Sequence, residues 1–249
     1  MSRFVQTPNV PKNRVKIGIV SPENRKIINL LEENGIEPIF TQANCYIDKF
    51  ISNHADINFH HLEGNSFLAD ISQQALIPIF DQIGAHITIN EEAVSGKYPF
   101  DCRLNFARVG NKLFGKATIC SKELQEHCRS NGIERINVNQ GYGKCSVCVV
   151  NNDAIITDDV TIKKTTEAAG IDCLLISKGD IKLSGHPYGF IGGTSTLIDK
   201  NKLLFFGNLK QHTNYADIIR FCHTHNCEVV FDERFELTDI GGMIPVLEY

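Results

Sequence analysis

The chain has 249 residues, 42 % hydrophobic and 22 % charged, with a net charge of −4, a composition that suits one large globular domain or two small ones. The mild acidity and the absence of a basic stripe or polybasic run argue against nucleic acid and anionic membranes as partners, and no apolar run is long enough for a signal peptide or a bilayer span. Nine cysteines without an export signal read as reduced thiols, mostly core fillers, and a cytoplasmic location is therefore expected.

Residues 1–14 (MSRFVQTPNVPKNR) read as an N-terminal arm, because Pro8 and Pro11 oppose regular structure. One domain is expected over 15–249. Val15–Val20 is an apolar strand run. Ser21-Pro22-Glu23 carries the chemistry of a helix start, Ile27, Leu30 and Leu31 share one helical face, and Gly35 ends the helix. A second strand follows at Ile36–Thr41.

The same order recurs. Phe67–Ala69 leads through a helix ending at Ile83 to strand His86–Ile89. Lys112–Ala117 leads through helix Ser121–Ser130 to Arg135–Val138, and Ala154–Thr157 through helix Asp159–Ala169 to Cys173–Ile176. Leu203–Phe206 leads through a helix from Asn214 to His225 into Glu228–Phe231. Each of these four units is preceded by another apolar run: Ile57–Leu62, Leu104–Val109, Ser146–Val150 and Ser195–Ile198. The linking turns, Glu63-Gly64-Asn65, Gly110-Asn111, Asn151-Asn152-Asp153 and Asp199-Lys200-Asn201, are hairpin chemistry, since Gly, Asn and Asp tolerate positive φ. From turn to turn the steps are roughly 46, 42 and 48 residues, inside the window for repeat architectures. Ile240–Glu248 is then a first hairpin strand with no partner after it, and Val15–Val20 a second strand with none before it. Joining them completes a fifth unit and removes an exposed sheet edge. The competing reading, an ordinary doubly wound α/β sheet, has no hairpin inside each unit.

Five pseudo-repeats of this kind, the fifth split across the termini, resemble the pentein fold of the guanidino-group-modifying enzymes, a five-fold pseudosymmetric α/β propeller. The phrases YPFDCRLN (Tyr98–Asn105), NQGYGKCSVCVV (Asn139–Val150), HPYGFIGG (His186–Gly193) and TDIGGMIP (Thr238–Pro245) look like an uncharacterised bacterial family of that fold. The resemblance implies a site in a central channel, with a nucleophilic Cys in the last unit, a His in the fourth, and carboxylates that hold a guanidinium. The last unit here reads Gly241-Gly242-Met243-Ile244-Pro245 and the fourth Phe190-Ile191-Gly192-Gly193-Thr194, so both usual catalytic positions read as lost.

On the pentein reading, polar residues at the strand mouths converge: His54, Asp56 and Asn58; Asp101, Arg103 and Asn105; Tyr142, Lys144 and Cys145; His186, Tyr188, Thr194 and Ser195; and Asp239. Such a set suits a small polar ligand, with carboxylates for a cation and Arg or Lys for an anion. Cys145 follows Gly141-Tyr142-Gly143 and adjoins Lys144, a neighbour that would lower a thiol pKa, with His54 or His186 as candidate base. The competing reading is a small strand residue packed in the core. Cys145 and Cys148, three apart in an expected strand, should face opposite ways and form no metal pair. Asp56, Asp101 and Asp239 either bind a cation or cap turns. Gly192 and Gly193 leave room or N–H groups for a ligand. Cys222-His223-Thr224-His225-Asn226-Cys227 has the wrong spacing for zinc and reads as a helix end. No metal or cofactor is expected. Three functions remain open: a small-molecule-binding pentein, a hydrolase or amidinotransferase-like enzyme with Cys145 as a relocated nucleophile, and a scaffold for a protein or ribosomal partner.

Overall fold

The computed structural model describes residues 2–249. In chain order the elements begin with β1 (Arg3–Phe4), β2 (Val15–Val20), α1 (Arg25–Glu33) and β3 (Glu37–Phe40). A short α2 (Ala55–Asn58) runs into β4 (Phe59–Glu63), followed by β5 (Ser66–Ala69), a 3₁₀ stretch Ile71–Leu76 leading into α3 (Ile77–Gln82), and β6 (His86–Ile89). Then come β7 (Ala107–Val109), β8 (Lys112–Gly115), α4 (Lys122–Ser130) and β9 (Glu134–Asn137). The fourth group is β10 (Val147–Asn151), β11 (Ala154–Thr157), α5 (Val160–Ala168) and β12 (Asp172–Leu175). The last is β13 (Ser195–Asp199), β14 (Lys202–Phe205), α6 (Tyr215–Thr224), β15 (Glu228–Phe231) and β16 (Met243–Glu248).

These strands form five small sheets. In each three-stranded sheet the first two strands make an antiparallel hairpin, and the third pairs parallel with the second after a helical crossover. Tight Asn/Gly/Asp turns close the hairpins, whereas a parallel return needs a longer connection. The fifth sheet, in the order β1-β16-β2-β3, is built from both ends of the chain. β16 runs antiparallel to β2, from Met243 opposite Val20 to Glu248 opposite Val15, and β3 runs parallel to β2. It therefore repeats the plan of the other sheets.

Five apolar clusters join the sheets in succession. One packs Ile19 of β2 against Phe59 and Phe67 of the β4–β5 hairpin, and another packs Leu68 of β5 against Leu113 of β8. The next joins Phe114 of β8 to Val147 and Ile155, the next Ile156 of β11 to Leu203 and Phe205, and the last returns from Leu204 of β14 to Val20 and Met243. Helices α1, α3, α4, α5 and α6 each bury an apolar face in one of these clusters, as Phe80 of α3 does by stacking on Phe59 at 5.7 Å and meeting Phe67 edge-on at 5.6 Å. Among the described residues no helix is long and apolar enough to cross a membrane.

The structure departs from the sequence reading at several points. α1 begins at Arg25, because the Asn24 side chain accepts from the amides of Lys26 and Ile27 and so caps in place of Ser21. Ile57 and Asn58, expected in a strand, belong to α2, and Leu104–Phe106 lie ahead of β7. Strand β16 starts at Met243, since Gly241 and Gly242 take φ of 76° and 66°, outside the β region. Cys145 lies ahead of β10, so the strand alternation expected to separate it from Cys148 does not apply; Cys148 is a core residue. The arm is docked along the hairpin-turn ends. Arg3–Phe4 pairs with β16, Gly64 N donates to Gln6 O at 3.3 Å, and Asn9 Nδ2 donates to Arg108 O at 3.2 Å. The buried Glu248 carboxylate takes Arg3 Nε at 2.9 Å and the amides of Lys12 and Asn13 at 2.6 and 2.9 Å.

Candidate functional site

The segments leading into the first strands of the sheets meet at Cys145. Asn105, fully buried, is the hub: its Oδ1 accepts the amides of Lys144 and Cys145 at 2.8 and 3.1 Å, and its Nδ2 donates to Asp56 O at 2.9 Å and to Cys145 Sγ at 3.1 Å. The Cys145 thiol donates to Asp56 Oδ2 at 3.0 Å, and Asp56 Oδ1 has no partner. Behind them the amides of Gly192 and Gly193 donate to Cys145 O at 2.7 and 3.2 Å. A Cβ on Gly192 would run into the carbonyls of Lys144, Cys145 and Val147, so this glycine serves close backbone packing.

Asp239 stands beside this group. Its Oδ1 accepts Gly241 N at 2.9 Å and its Oδ2 accepts Phe190 N at 2.8 Å, which fixes the carboxylate while leaving lone pairs free. A Cβ on Gly193 would meet that carboxylate. His54 Nδ1 lies 3.9 Å from Asp239 Oδ1, too far for a hydrogen bond, and has no other partner.

Above this floor opens a cleft of about 280 Å³ lined by Ile51, His54, Ile57, Tyr142, Cys145, Leu183, His186, Pro187, Tyr188, Phe190 and Asp239. One side is aromatic: Phe190 sits 6.0 Å from Tyr142 and 6.2 Å from Tyr188. Tyr142 is held by its hydroxyl, which donates to Asp101 Oδ2 at 2.6 Å. His186 stands at the rim, with Nε2 3.2 Å from Asp48 Oδ2.

Burial shapes the chemistry. It pushes the Asp56 carboxyl up to about 7, against the opposing pull of Lys144. It also pushes the Cys145 thiol well above its ordinary value, helped by the adjacent Asp56 and Asp239. The sequence points the other way, to a thiol lowered by Lys144; burial and two carboxylates outweigh one lysine whose Nζ turns away to Gly192 O at 3.4 Å. Burial lowers the His54 ring, against Asp239 and Glu23, so the imidazole is neutral near pH 7.

Of the residues singled out from sequence, His54, Tyr142, Cys145, His186, Tyr188 and Asp239 line the cleft, and Asp56, Asn105 and Asp101 support them from behind. Lys144 lies beneath the floor, where with Asp56, Pro8 and Asn9 it lines a hollow of about 20 Å³, the size of one water. Ser195, with Asn9 and Lys144, lines a second small hollow, and its hydroxyl donates to Ile191 O at 2.7 Å. Asn58 ties α2 down by donating to Ser52 O and His54 O. Arg103 is turned to Glu92 and stacks over Phe100 at 5.1 Å. Sequence reasoning misses the apolar wall of Ile51, Ile57, Leu183 and Pro187, because a search for chemistry passes over such residues and they follow no periodicity. All nine cysteines are free, with only Cys45 exposed, and among the described residues no group of His, Cys, Asp and Glu could hold a metal ion.

Sheets of this plan are those of the pentein fold. The chain superposes on an amidinotransferase of the saxitoxin biosynthetic pathway from Microseira wollei with a TM-score of 0.56 and 10 % identity over 92 % of each chain. It matches inosamine-phosphate amidinotransferase from Streptomyces griseus with a TM-score of 0.60 and 9 % identity, covering 98 % of this chain and 97 % of that one. A cysteine-to-serine variant of DDAH from Pseudomonas aeruginosa, complexed with citrulline, gives 0.53 and 8 % identity over 88 % of this chain and 92 % of that one. At such identities the likeness is one of fold. No curated protein sequence matches. Residues 19–244 match the family of unknown function DUF6873, and the chain belongs to that family.

Proposed function

We propose that the five sheets form a five-bladed ring, residues 15–249 being one domain, and that the cleft at its centre binds a small organic cation, guanidino- or amino-acid-like in kind. The succession of apolar clusters from sheet to sheet and back to the first supports the ring. The observation that carries the ligand reading is Asp239: a buried carboxylate, pinned by two amides, at the foot of a cleft walled by Tyr142, Phe190 and Tyr188. A fixed carboxylate under aromatic rings favours a cation through both charge and ring quadrupoles. On our reading of the sequence, the stretches Gly241–Pro245, which holds no Cys, and Phe190–Thr194, which holds no His, stand where the catalytic penteins carry those residues.

The second reading, with Cys145 as nucleophile, is favoured by the thiol's hydrogen bond to Asp56. Asp56 would take the thiol proton as sulfur adds to the guanidinium carbon of the ligand, the C–S bond forming as the C=N π bond breaks and its electron pair passes to nitrogen, which gives a neutral tetrahedral adduct. Before a ligand arrives the proton stays on sulfur, because Asp56 titrates near 7 and the thiol well above 9. Binding is therefore the primary reading.

The test is a thermal-shift titration with guanidine, alkylguanidines and alkylamines on the full chain and on Asp239→Asn. A ligand specific to the folded state raises the melting temperature. Dose-dependent stabilisation by cations that disappears in Asp239→Asn supports the reading; equal shifts in both proteins, or none in either, end it.

A further inference from the structure

Resting on that reading and narrowing it to its guanidino and amine members, we infer that the cleft selects cations carried on an uncharged apolar stem and excludes those, amino acids among them, that also bear a carboxylate. None of the residues lining the cleft is Lys or Arg. The two cations that the sequence placed near it are engaged elsewhere. Arg103 pairs with Glu92 over the Phe100 ring, and Lys144 Nζ lies against Gly192 O under the floor. Of the two cleft histidines, His186 has the Asp48 carboxylate 3.2 Å from its Nε2, without a hydrogen bond, as a competitor for any ligand carboxylate, and the buried His54 ring is held neutral.

What remains for the rest of a ligand is an apolar wall of Ile57, Leu183, Pro187, Tyr188 and Phe190. A methylene stem gains by burial there. A carboxylate in the same place loses its water and finds no donor of opposite charge, with Asp239 repelling it from the floor. Discrimination by an unmet charge is stronger than discrimination by a missing methylene, since the cost of desolvation is not recovered. The volume of about 280 Å³ lies at the small end of ligand sites, so the stem is short.

The experiment is isothermal titration calorimetry on the full chain with two matched pairs: n-butylguanidine against 4-guanidinobutyrate, and n-butylamine against 4-aminobutyrate. Each pair keeps the cationic head and stem length and exchanges a terminal methyl for a carboxylate. Binding of the methyl-terminated members, with the carboxylates at least tenfold weaker at low and at physiological salt, supports the inference. Equal or tighter binding of the carboxylates overturns it while leaving cation binding intact. Absence of binding by all four compounds overturns both.

Discussion

Replacing Asp56 by Asn removes one titration from the middle of the molecule. Asp56 is buried, and its carboxyl is pushed from 3.8 up to about 7. A carboxyl raised in the folded state binds its proton more tightly there than in the unfolded chain. Its contribution to stability is therefore fully present below about pH 4 and is lost as the pH rises to about 7, remaining flat above. The rise from 3.8 to about 7 corresponds to about 4 kcal/mol in all, and about 3 kcal/mol falls between pH 4.5 and 7.5. The histidines act in the opposite sense: burial lowers His60 to about 3 and His61 to about 4, so they favour the folded state as the pH rises. They are common to both proteins and cancel in the difference. The replacement amide keeps an oxygen to accept the Cys145 thiol. Urea unfolding of the wild type and Asp56→Asn at half-unit pH intervals should show the variant gaining about 3 kcal/mol on the wild type between pH 4.5 and 7.5. That is roughly 6–12 °C in melting temperature for a chain of this size. Parallel pH profiles would refute the assignment of a raised, buried carboxyl to Asp56.

Glu248→Gln weakens the clasp on Arg3, Lys12 and Asn13; a loss of about 1–3 kcal/mol is expected, with faster tryptic cleavage within residues 3–14 than elsewhere in the chain. Phe80→Ala opens the cluster beneath α3 and should cost about 3–5 kcal/mol in urea unfolding with no change in m-value. Gly193→Ala drives a Cβ into the Asp239 carboxylate, so a melting-temperature loss larger than that of Gly84→Ala, where a positive φ of 79° is the sole obstacle to a side chain, is expected by scanning calorimetry. Iodoacetamide at pH 7.5 should label the exposed Cys45 first and Cys145 only on unfolding, read by peptide mass spectrometry.

The repeat was legible because it is written in local chemistry. Asn, Gly and Asp turns mark the hairpins; Ser121 and Asp159 do cap α4 and α5; and Gly35, Gly84, Gly132 and Gly170 take positive φ where each helix gives way to a strand. The pairing of Ile240–Glu248 with Val15–Val20 followed from counting unpaired strands, an argument that needs no distances. The site was legible only as a set of strand-mouth residues. Whether Lys144 or Cys145 faces the cleft depends on backbone turns ahead of β10 that periodicity does not describe. The direction of the Cys145 pKa required knowing that Asp56 lies against it, a contact between residues far apart in sequence. Asp48 facing His186, and Glu92 claiming Arg103, are likewise tertiary events.

The position of β16 inside its sheet, flanked by β1 and β2, sets an order on assembly. During synthesis β2 can find β3 early, but its other edge stays unsatisfied until the last strand has left the ribosome. The other four sheets use neighbours in sequence and are free to form first. Closing a loop of this length adds little equilibrium cost but delays the contact, since contacts between distant residues form late. Until then Ile17, Gly18 and Ile19 present an apolar strand edge, and this is where a nascent or partly unfolded molecule is most open to pairing with another chain.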